Sequence, residues 1–241
     1  MTYATDDAVP SDVYAERRGR LETYFDRTAL DAWTQLTSDA PVSRIRETVR
    51  QGRDSMRDTL LSWLPRNMRG ASVFDAGCGT GALSVAAAMR GANVTGVDVS
   101  ASLIQIANDR APANVAPGSL GFGVGDMFDP RFGAFDHVVA MDSLIHYPAD
   151  EILGVLAAFA SRTRASILFT FAPQTPALSL MHAAGKLFPR ADRAPAIEPV
   201  SETVIRRGIG LSRAFSGWTI GRTTRISSGF YKSQAMELTR A

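Results

Sequence analysis

The chain has 241 residues, of which 45% are hydrophobic and 21% charged, the composition of a globular protein with one well-filled core. The formal net charge is only +2, and the single cysteine excludes an internal disulfide. The basic residues are scattered and lack interleaved aromatic residues, which argues against a nucleic-acid-binding protein. No apolar run is long enough to span a bilayer and no secretory signal is apparent, so we expect a cytoplasmic protein.

The first 70 residues predict a helical arm. Residues 1–15 have the composition of a disordered segment. A first helix is predicted over residues 17–37, where one face carries Leu21, Phe25, Ala29, Trp33 and Leu36. A second helix is predicted over residues 43–64, with Ser43 as its N-cap and Pro65 at its end.

Residues 71–241 predict a single α/β domain, because short β-branched runs alternate with helical stretches. Five strands are predicted at residues 72–76, 93–98, 120–126, 135–142 and 165–171. Helices are predicted between them, at residues 82–90, 101–110 and 150–161. This alternation indicates a doubly wound parallel sheet, whose ligands bind beyond the carboxyl ends of the strands.

The last third of the chain predicts an insertion followed by a hairpin. Residues 174–215 are interpreted as a helical lid that begins with a helix over residues 175–188. Two strand-like runs, 217–227 and 229–239, predict an antiparallel hairpin at the edge of the sheet. Residues 173–241 carry 4 acids and 10 bases, which is typical either of a solvated basic face or of a region that meets an anionic ligand.

The most informative segment is VFDAGCGTGAL, residues 73–83, where a strand, a glycine-rich turn and a helix follow each other. Gly77, Gly79 and Gly81 allow the backbone to approach a ligand closely. The segment also satisfies the dinucleotide pattern G-x-G-x-x-A, so the glycines alone do not separate NAD from S-adenosylmethionine (SAM). Asp75 favours SAM, because a carboxylate at that position repels a pyrophosphate and attracts an ammonium group. The segment resembles the first motif of class I SAM-dependent methyltransferases.

Acidic residues at the ends of the following strands extend the predicted cofactor site. Asp98 ends the second strand, where a carboxylate can accept both ribose hydroxyls. Asp126 ends the third strand and resembles the residue that meets the adenine amino group in this superfamily. Three further residues at these strand ends are expected to bind the cofactor, namely Val99, Met127 and Asp142. His146 follows the fourth strand in MDSLIHYP, residues 141–148, and faces the methyl donor in this interpretation.

Over residues 20–236 the chain resembles the magnesium-protoporphyrin IX O-methyltransferases of bacteriochlorophyll and chlorophyll biosynthesis. The selective motifs are YFDRTALDAW (24–33), MDSLIHYP (141–148) and FTFAPQTPALSLMHAAGKLFPRADRAPAIEP (169–199). The resemblance implies a class I, Rossmann-like methyltransferase sheet with an N-terminal helical arm and an inserted lid. It also implies methylation of one propionate of magnesium-protoporphyrin IX, which yields the monomethyl ester and S-adenosylhomocysteine (SAH).

The resemblance also implies roles for individual residues. His146 and Tyr24 are the expected catalytic residues: His146 aims the propionate by hydrogen bonding, and Tyr24 closes over the cofactor. A propionate is ionised near neutral pH, so no general base is required. Substrate contacts are expected from residues of the lid, namely His182, Lys186, Arg190 and Arg193. Magnesium belongs to the substrate, and no protein metal site is predicted.

The expected partners are magnesium-protoporphyrin IX and the porphyrin-binding subunit of magnesium chelatase. We expect a monomer with at most peripheral membrane contact. Three alternatives stay open at this point. The chain is alternatively a SAM-dependent methyltransferase for another small acid, phenol or quinone, or a porphyrin carrier that SAM regulates. The third alternative is a nicotinamide-dependent oxidoreductase, and Asp75 argues against it because its carboxylate repels a pyrophosphate.

Overall fold

The structure, a computed structural model, describes residues 12–28, 30–38, 41–174 and 196–241. A sheet of seven strands forms its centre, in the order β3-β2-β1-β4-β5-β7-β6. In chain order the strands are β1 (Ser72–Ala76), β2 (Asn93–Asp98), β3 (Ser119–Val124), β4 (Phe135–Ala140), β5 (Thr163–Phe171), β6 (Trp218–Ser228) and β7 (Tyr231–Arg240). The first five strands are parallel, and β7 and β6 add an antiparallel hairpin. The predicted doubly wound sheet and its edge hairpin are confirmed.

Helices precede the sheet and alternate with its strands. They are α1 (Asp12–Thr23), α2 (Leu30–Leu36), α3 (Arg44–Trp63), α4 (Ala82–Ala88), α5 (Ala101–Arg110), α6 (Ala149–Arg162) and α7 (Glu202–Leu211). Ser43 caps α3 as predicted, because its hydroxyl oxygen accepts a hydrogen bond from the Arg46 N–H. No helix in the described ranges is both long enough and apolar enough to cross a bilayer.

Both faces of the sheet are covered by apolar packing. Successive residues of a strand point to opposite faces, and β1 follows this rule. Phe74 belongs to the cluster that contains Phe159 of α6, whereas Val73 belongs to the cluster that contains Met56 of α3. All four side chains are fully buried. α3 therefore packs on the sheet. The sequence predicts that α3 belongs to an arm of residues 1–70, separate from a main domain of residues 71–241. That division stays a prediction.

The strand order reverses between β1 and β4, which are hydrogen-bonded neighbours. At such a switch point the connections after the two strands leave toward opposite faces and open a crevice at their carboxyl ends. The glycine turn follows β1 at this edge, and the segment with His146 follows β4. The fold thus places the two most informative sequence motifs beside each other.

The N-terminal region differs from the single helix predicted over residues 17–37. α1 already begins at Asp12, because Tyr14 is buried and its hydroxyl hydrogen-bonds to Asp126. The expected disorder is therefore wrong for residues 12–15. A π-helical turn, Tyr24–Thr28, separates α1 from α2. In this turn Asp26 accepts hydrogen bonds from the Ser100 hydroxyl and the Ser102 N–H at the start of α5, a tertiary contact that helical periodicity does not reveal. Residues 175–195, with the predicted lid helix, lie outside the described residues.

Candidate active site

A cavity of about 310 Å³ lies at the carboxyl ends of β1, β2 and β4. Eight residues expected to bind the cofactor or act in catalysis line it, namely Asp75, Gly77, Gly79, Asp98, Val99, Met127, Asp142 and His146. Apolar residues of the N-terminal helices cover it, namely Leu21, Phe25, Trp33 and Leu36. The cavity therefore combines a polar floor at the strand ends with apolar residues of the N-terminal helices, and α3 adds the charged residues Arg50, Arg53, Asp54 and Arg57 to its wall.

The glycine turn contributes backbone to the cavity wall. Gly77 and Gly79 have φ values of +77° and +54°, in the left-handed region that favours glycine. A Cβ atom on Gly77 would collide with Cβ of Ser143. Gly81 is the N-cap of α4 and does not line the cavity; a Cβ there would lie 2.5 Å from Phe122 Cζ, so this glycine is needed for packing.

Asp98 lies at the end of β2 with its carboxylate fixed by the backbone. The Gly79 N–H donates to Oδ2 at 2.9 Å, and the Ser100 N–H donates to Oδ1 at 3.0 Å. Burial raises the pKa of Asp98, and backbone N–H groups of Ser100, Gly79 and Val99 oppose that rise. A carboxylate has about four acceptor positions, so the side chain keeps acceptor capacity for a ligand hydroxyl.

Asp75 is a buried carboxylate beneath the glycine turn. The Ser84 hydroxyl donates to its Oδ2 at 2.5 Å. Burial raises the pKa of Asp75 to about 6, although the hydrogen bond from Ser84 acts in the opposite direction. An unpaired buried carboxylate is unstable as an anion, so this position favours a ligand that brings a positive charge.

Asp126 follows β3, as expected, but its carboxylate is not among the groups that line the cavity. The Tyr14 hydroxyl donates to Oδ1 at 2.9 Å, and Arg18 forms an ion pair with Oδ2 at 3.2 Å. In this arrangement Asp126 holds α1 against the strand ends. A contact between Asp126 and an adenine stays a prediction.

Asp142 lines the cavity as the centre of a hydrogen-bond network. Its φ is +55°, the one left-handed value among the non-glycine residues that the structure describes. Arg53 forms an ion pair with its carboxylate at 2.8 Å. The hydroxyls of Tyr231 and Ser233 donate to Oδ1 at 3.0 and 3.1 Å. These contacts join α3 and β7 to the segment after β4.

His146 ends a short 3₁₀ helix, Leu144–His146, and its ring is near Phe25 at a centroid distance of 6.4 Å. Its Nδ1 lies 3.1 Å from the Ala196 carbonyl oxygen. A carbonyl only accepts, so this contact selects the tautomer with the proton on Nδ1. Burial lowers the pKa of His146, with the Ala196 contact opposing, which keeps the ring neutral at neutral pH. The Nε2 atom therefore offers a lone pair.

Tyr24 begins the π-helical turn and is not among the cavity-lining side chains. Its ring contacts Phe25 edge-on at 5.2 Å, and burial raises the pKa of its hydroxyl. Phe25, the next residue, lines the cavity and contacts Trp33. The predicted catalytic role of Tyr24 therefore stays a prediction.

Sequence reasoning missed several residues of the cavity wall, namely Trp33, Arg53, Ser143 and Tyr147. Trp33 had a signal, since it belongs to the predicted apolar stripe of the arm. Arg53 had none, because its guanidinium reaches the site by stacking on the Trp33 ring at 4.6 Å. His182, Lys186, Arg190 and Arg193 lie outside the described residues. Within the described ranges, no group of three or more His, Cys, Asp or Glu residues could hold a metal ion.

Comparisons with known proteins agree with this geometry. Residues 140–240 match the family described as the magnesium-protoporphyrin IX methyltransferase C-terminus, and residues 73–165 match a methyltransferase domain. The magnesium-protoporphyrin O-methyltransferase of Rhodobacter capsulatus is 48% identical over 230 residues, which cover 95% of this chain and 99% of that protein.

One solved structure is similar over nearly the whole chain. The magnesium protoporphyrin IX methyltransferase of Synechocystis PCC 6803 with bound SAH has a TM-score of 0.80 at 31% identity, covering 92% of this chain and 99% of that one. By contrast, a ubiquinone biosynthesis O-methyltransferase of Chromobacterium violaceum matches only 35% of this chain. The chain therefore belongs to the magnesium-protoporphyrin O-methyltransferase family and is a SAM-dependent O-methyltransferase.

Proposed function

We propose that this chain transfers the methyl group of SAM to one propionate carboxyl of magnesium-protoporphyrin IX. The observation that carries the proposal is that residues 77–80 of the glycine turn and His146 border the same cavity, together with apolar residues of the N-terminal helices. A flat apolar macrocycle with carboxyl groups suits a wall of Phe25 and Trp33 beside a histidine. The product is the monomethyl ester.

The residues around the glycine turn fit SAM. Gly77 and Gly79 present their backbone to the cavity, and Asp98 retains acceptor capacity for the ribose hydroxyls. Asp75 carries the negative charge that suits the ammonium group, while Val99 and Met127 line the cavity beside them. When bound, SAM supplies an electrophilic methyl group on a sulfonium.

His146 holds the methyl-accepting carboxyl. At neutral pH a free propionate is ionised, and the free His146 ring is neutral, so a hydrogen bond between them needs one proton from solvent. His146 takes up that proton on Nε2, and the resulting N–H donates a hydrogen bond to one carboxyl oxygen. The Nδ1–H keeps its hydrogen bond to the Ala196 carbonyl oxygen. The second carboxyl oxygen stays free as the nucleophile. The apolar residues over the cavity limit the contact of the reacting groups with water, which favours a reaction between opposite charges.

We expect Asp75→Asn to weaken SAH binding about tenfold at pH 8, because the ammonium group loses its buried counter-charge. The pKa of Asp75 is about 6, so the wild-type carboxyl becomes neutral as the pH falls below that value. The difference between wild type and variant should then shrink toward pH 5.5. Calorimetric titration with SAH across this pH range measures the affinity of wild type and of the variant. Equal SAH affinities at pH 8 would show that Asp75 does not interact with the ammonium group.

We expect Tyr24→Phe to lower kcat about tenfold, because the variant keeps the ring and removes one hydrogen-bonding group. The affinity for SAH should change less than about twofold, since the hydroxyl does not line the described cavity. Steady-state kinetics with saturating SAM and porphyrin provide the measurement. Wild-type turnover in this variant would remove Tyr24 from the mechanism.

The lid residues His182, Lys186, Arg190 and Arg193 remain proposed substrate contacts, chiefly for the second propionate. A cytoplasmic monomer, peripheral membrane contact and the porphyrin-binding subunit of magnesium chelatase as partner also remain proposals. Light scattering, vesicle co-sedimentation and pull-down with that subunit test them separately.

The proposed function is tested by comparing acceptors of different chemical classes. Wild-type protein with labelled SAM should label magnesium-protoporphyrin IX, and alkaline hydrolysis should release the label, as expected of an ester. The dimethyl ester of the same porphyrin, which has no free carboxyl, is the matched control and should stay unlabelled. Preferential labelling of a phenol or quinol, with a label that resists alkali, would favour the alternative methyltransferase function.

A further inference from the structure

Ser143 carries a buried polar atom that the fold does not use. Its Oγ is shielded from solvent and has no hydrogen-bond partner among the residues that the structure describes. Ser143 occupies the N-cap position of the 3₁₀ helix Leu144–His146, where serine commonly accepts a backbone N–H, yet its side chain makes no capping bond. An unsatisfied buried hydroxyl costs stability, so its retention calls for a ligand or another use.

Ser143 lies close to both the glycine turn and His146. It follows β4 at the switch point, and its Cβ occupies the space that a side chain on Gly77 would need. Side chains three residues apart in a 3₁₀ helix eclipse each other, which places Ser143 and His146 on the same side. Both residues line the cavity. Ser143 thus lies between the glycine turn and the histidine.

The polar groups that line the cavity come from two different parts of the fold. Asp75, Asp98 and the glycines come from β1, β2 and the turn after β1, and they are the groups that suit the cofactor. Ser143 and His146 both come from the segment after β4. A hydroxyl is a donor with a freely rotating proton, and a carboxyl oxygen with two lone pairs accepts from two donors at once.

We infer that Ser143 is a substrate-binding residue whose hydroxyl donates a hydrogen bond to the methyl-accepting carboxyl beside His146. The inference rests on the proposed function and adds a second, uncharged donor to the same carboxyl. Two donors fix the orientation of a planar group where one leaves it free to rotate. Ser143 thereby helps to aim the oxygen that attacks.

The test is Ser143→Ala, which keeps the Cβ that packs on Gly77 and removes only the hydroxyl. Fluorescence quenching measures binding of magnesium-protoporphyrin IX to the protein saturated with SAH, so no turnover takes place. We expect the porphyrin Kd to rise about tenfold, as for the loss of one hydrogen bond to a charged group, and kcat/KM for the porphyrin to fall comparably. The Kd of SAH should stay within about twofold.

Three results would overturn the inference: an unchanged porphyrin Kd, a loss that falls on SAH instead, or an equal loss of affinity for the porphyrin dimethyl ester. An equal loss for the dimethyl ester would mean that Ser143 contacts the macrocycle and not the carboxyl. Ser143→Cys, which keeps the shape and has a weak donor, should lie between wild type and Ser143→Ala. Wild-type turnover is measured alongside, because absence of methylated porphyrin there contradicts the proposed function itself, whatever Ser143 does.

Discussion

We expect the replacement of His146 with asparagine to lower kcat/KM for magnesium-protoporphyrin IX by about 100-fold, as for the loss of a hydrogen bond between charged groups. The asparagine amide can still donate to the Ala196 carbonyl, where His146 Nδ1 lies at 3.1 Å, but it has no atom at the position of Nε2. The variant therefore separates the structural contact from the proposed substrate contact. Steady-state kinetics measure the loss, and SAH affinity, expected to stay within about threefold, is the control for an intact cofactor site.

The same variant also tests the uptake of a proton when the porphyrin binds. Because the free ring is neutral and the propionate ionised, wild-type protein should take up about one proton for each porphyrin bound at pH 8. Affinity should then increase up to about tenfold for each pH unit lowered, until the pH reaches the lowered pKa of His146. Calorimetry in buffers of different ionisation enthalpy measures the uptake. His146→Asn should abolish it, and an equal uptake in both proteins would assign the proton to another group.

We expect the replacement of Asp142 with alanine to lower the free energy of unfolding by about 3 kcal/mol, because it removes a buried carboxylate from its ionic partner. The side chain of Asp142 is 5% exposed and that of Arg53 is 21% exposed. The change leaves Arg53, Tyr231 and Ser233 without their acceptor. It also places alanine at a φ of +55°, which disfavours residues other than glycine, asparagine and aspartate.

Denaturant unfolding measures this effect. Asp142→Asn tolerates the left-handed backbone and keeps an acceptor for Tyr231 and Ser233, so its loss should be about half that of alanine. In an Arg53→Met background, the cost of Asp142→Ala should shrink, because the uncompensated guanidinium is gone. A loss below about 1 kcal/mol for Asp142→Ala would contradict a structural role for the network.

The sequence predicts the sheet well because its information is local. In SVFDA, residues 72–76, a short strand runs into a glycine turn, and the antiparallel hairpin is marked by Ser228-Gly229 between two strand-like runs. The strand-end positions of Asp98 and Asp126 follow from the same alternation. Local patterns thus locate the carboxyl edge of the sheet, and with it the cavity.

The orientation of side chains at that edge depends on distant contacts. Asp126 lies at the predicted strand end, yet Tyr14 and Arg18 from α1 hold its carboxylate. The break in the arm depends on Asp26 meeting Ser100, 74 residues along the chain. Asp142 has its partners on α3 and β7. Periodicity and spacing carry no signal for such pairs, so the sequence locates these carboxylates without assigning their partners.

Product analysis tests most directly whether this cavity brings the methyl donor and a porphyrin carboxyl together. Purified protein is incubated with SAM and magnesium-protoporphyrin IX, and the pigments are separated by chromatography with mass detection. We expect a porphyrin heavier by one methylene group, with SAH formed in equal amount. Tight SAM binding together with an unmodified porphyrin would contradict methyl transfer to a porphyrin carboxyl in this cavity.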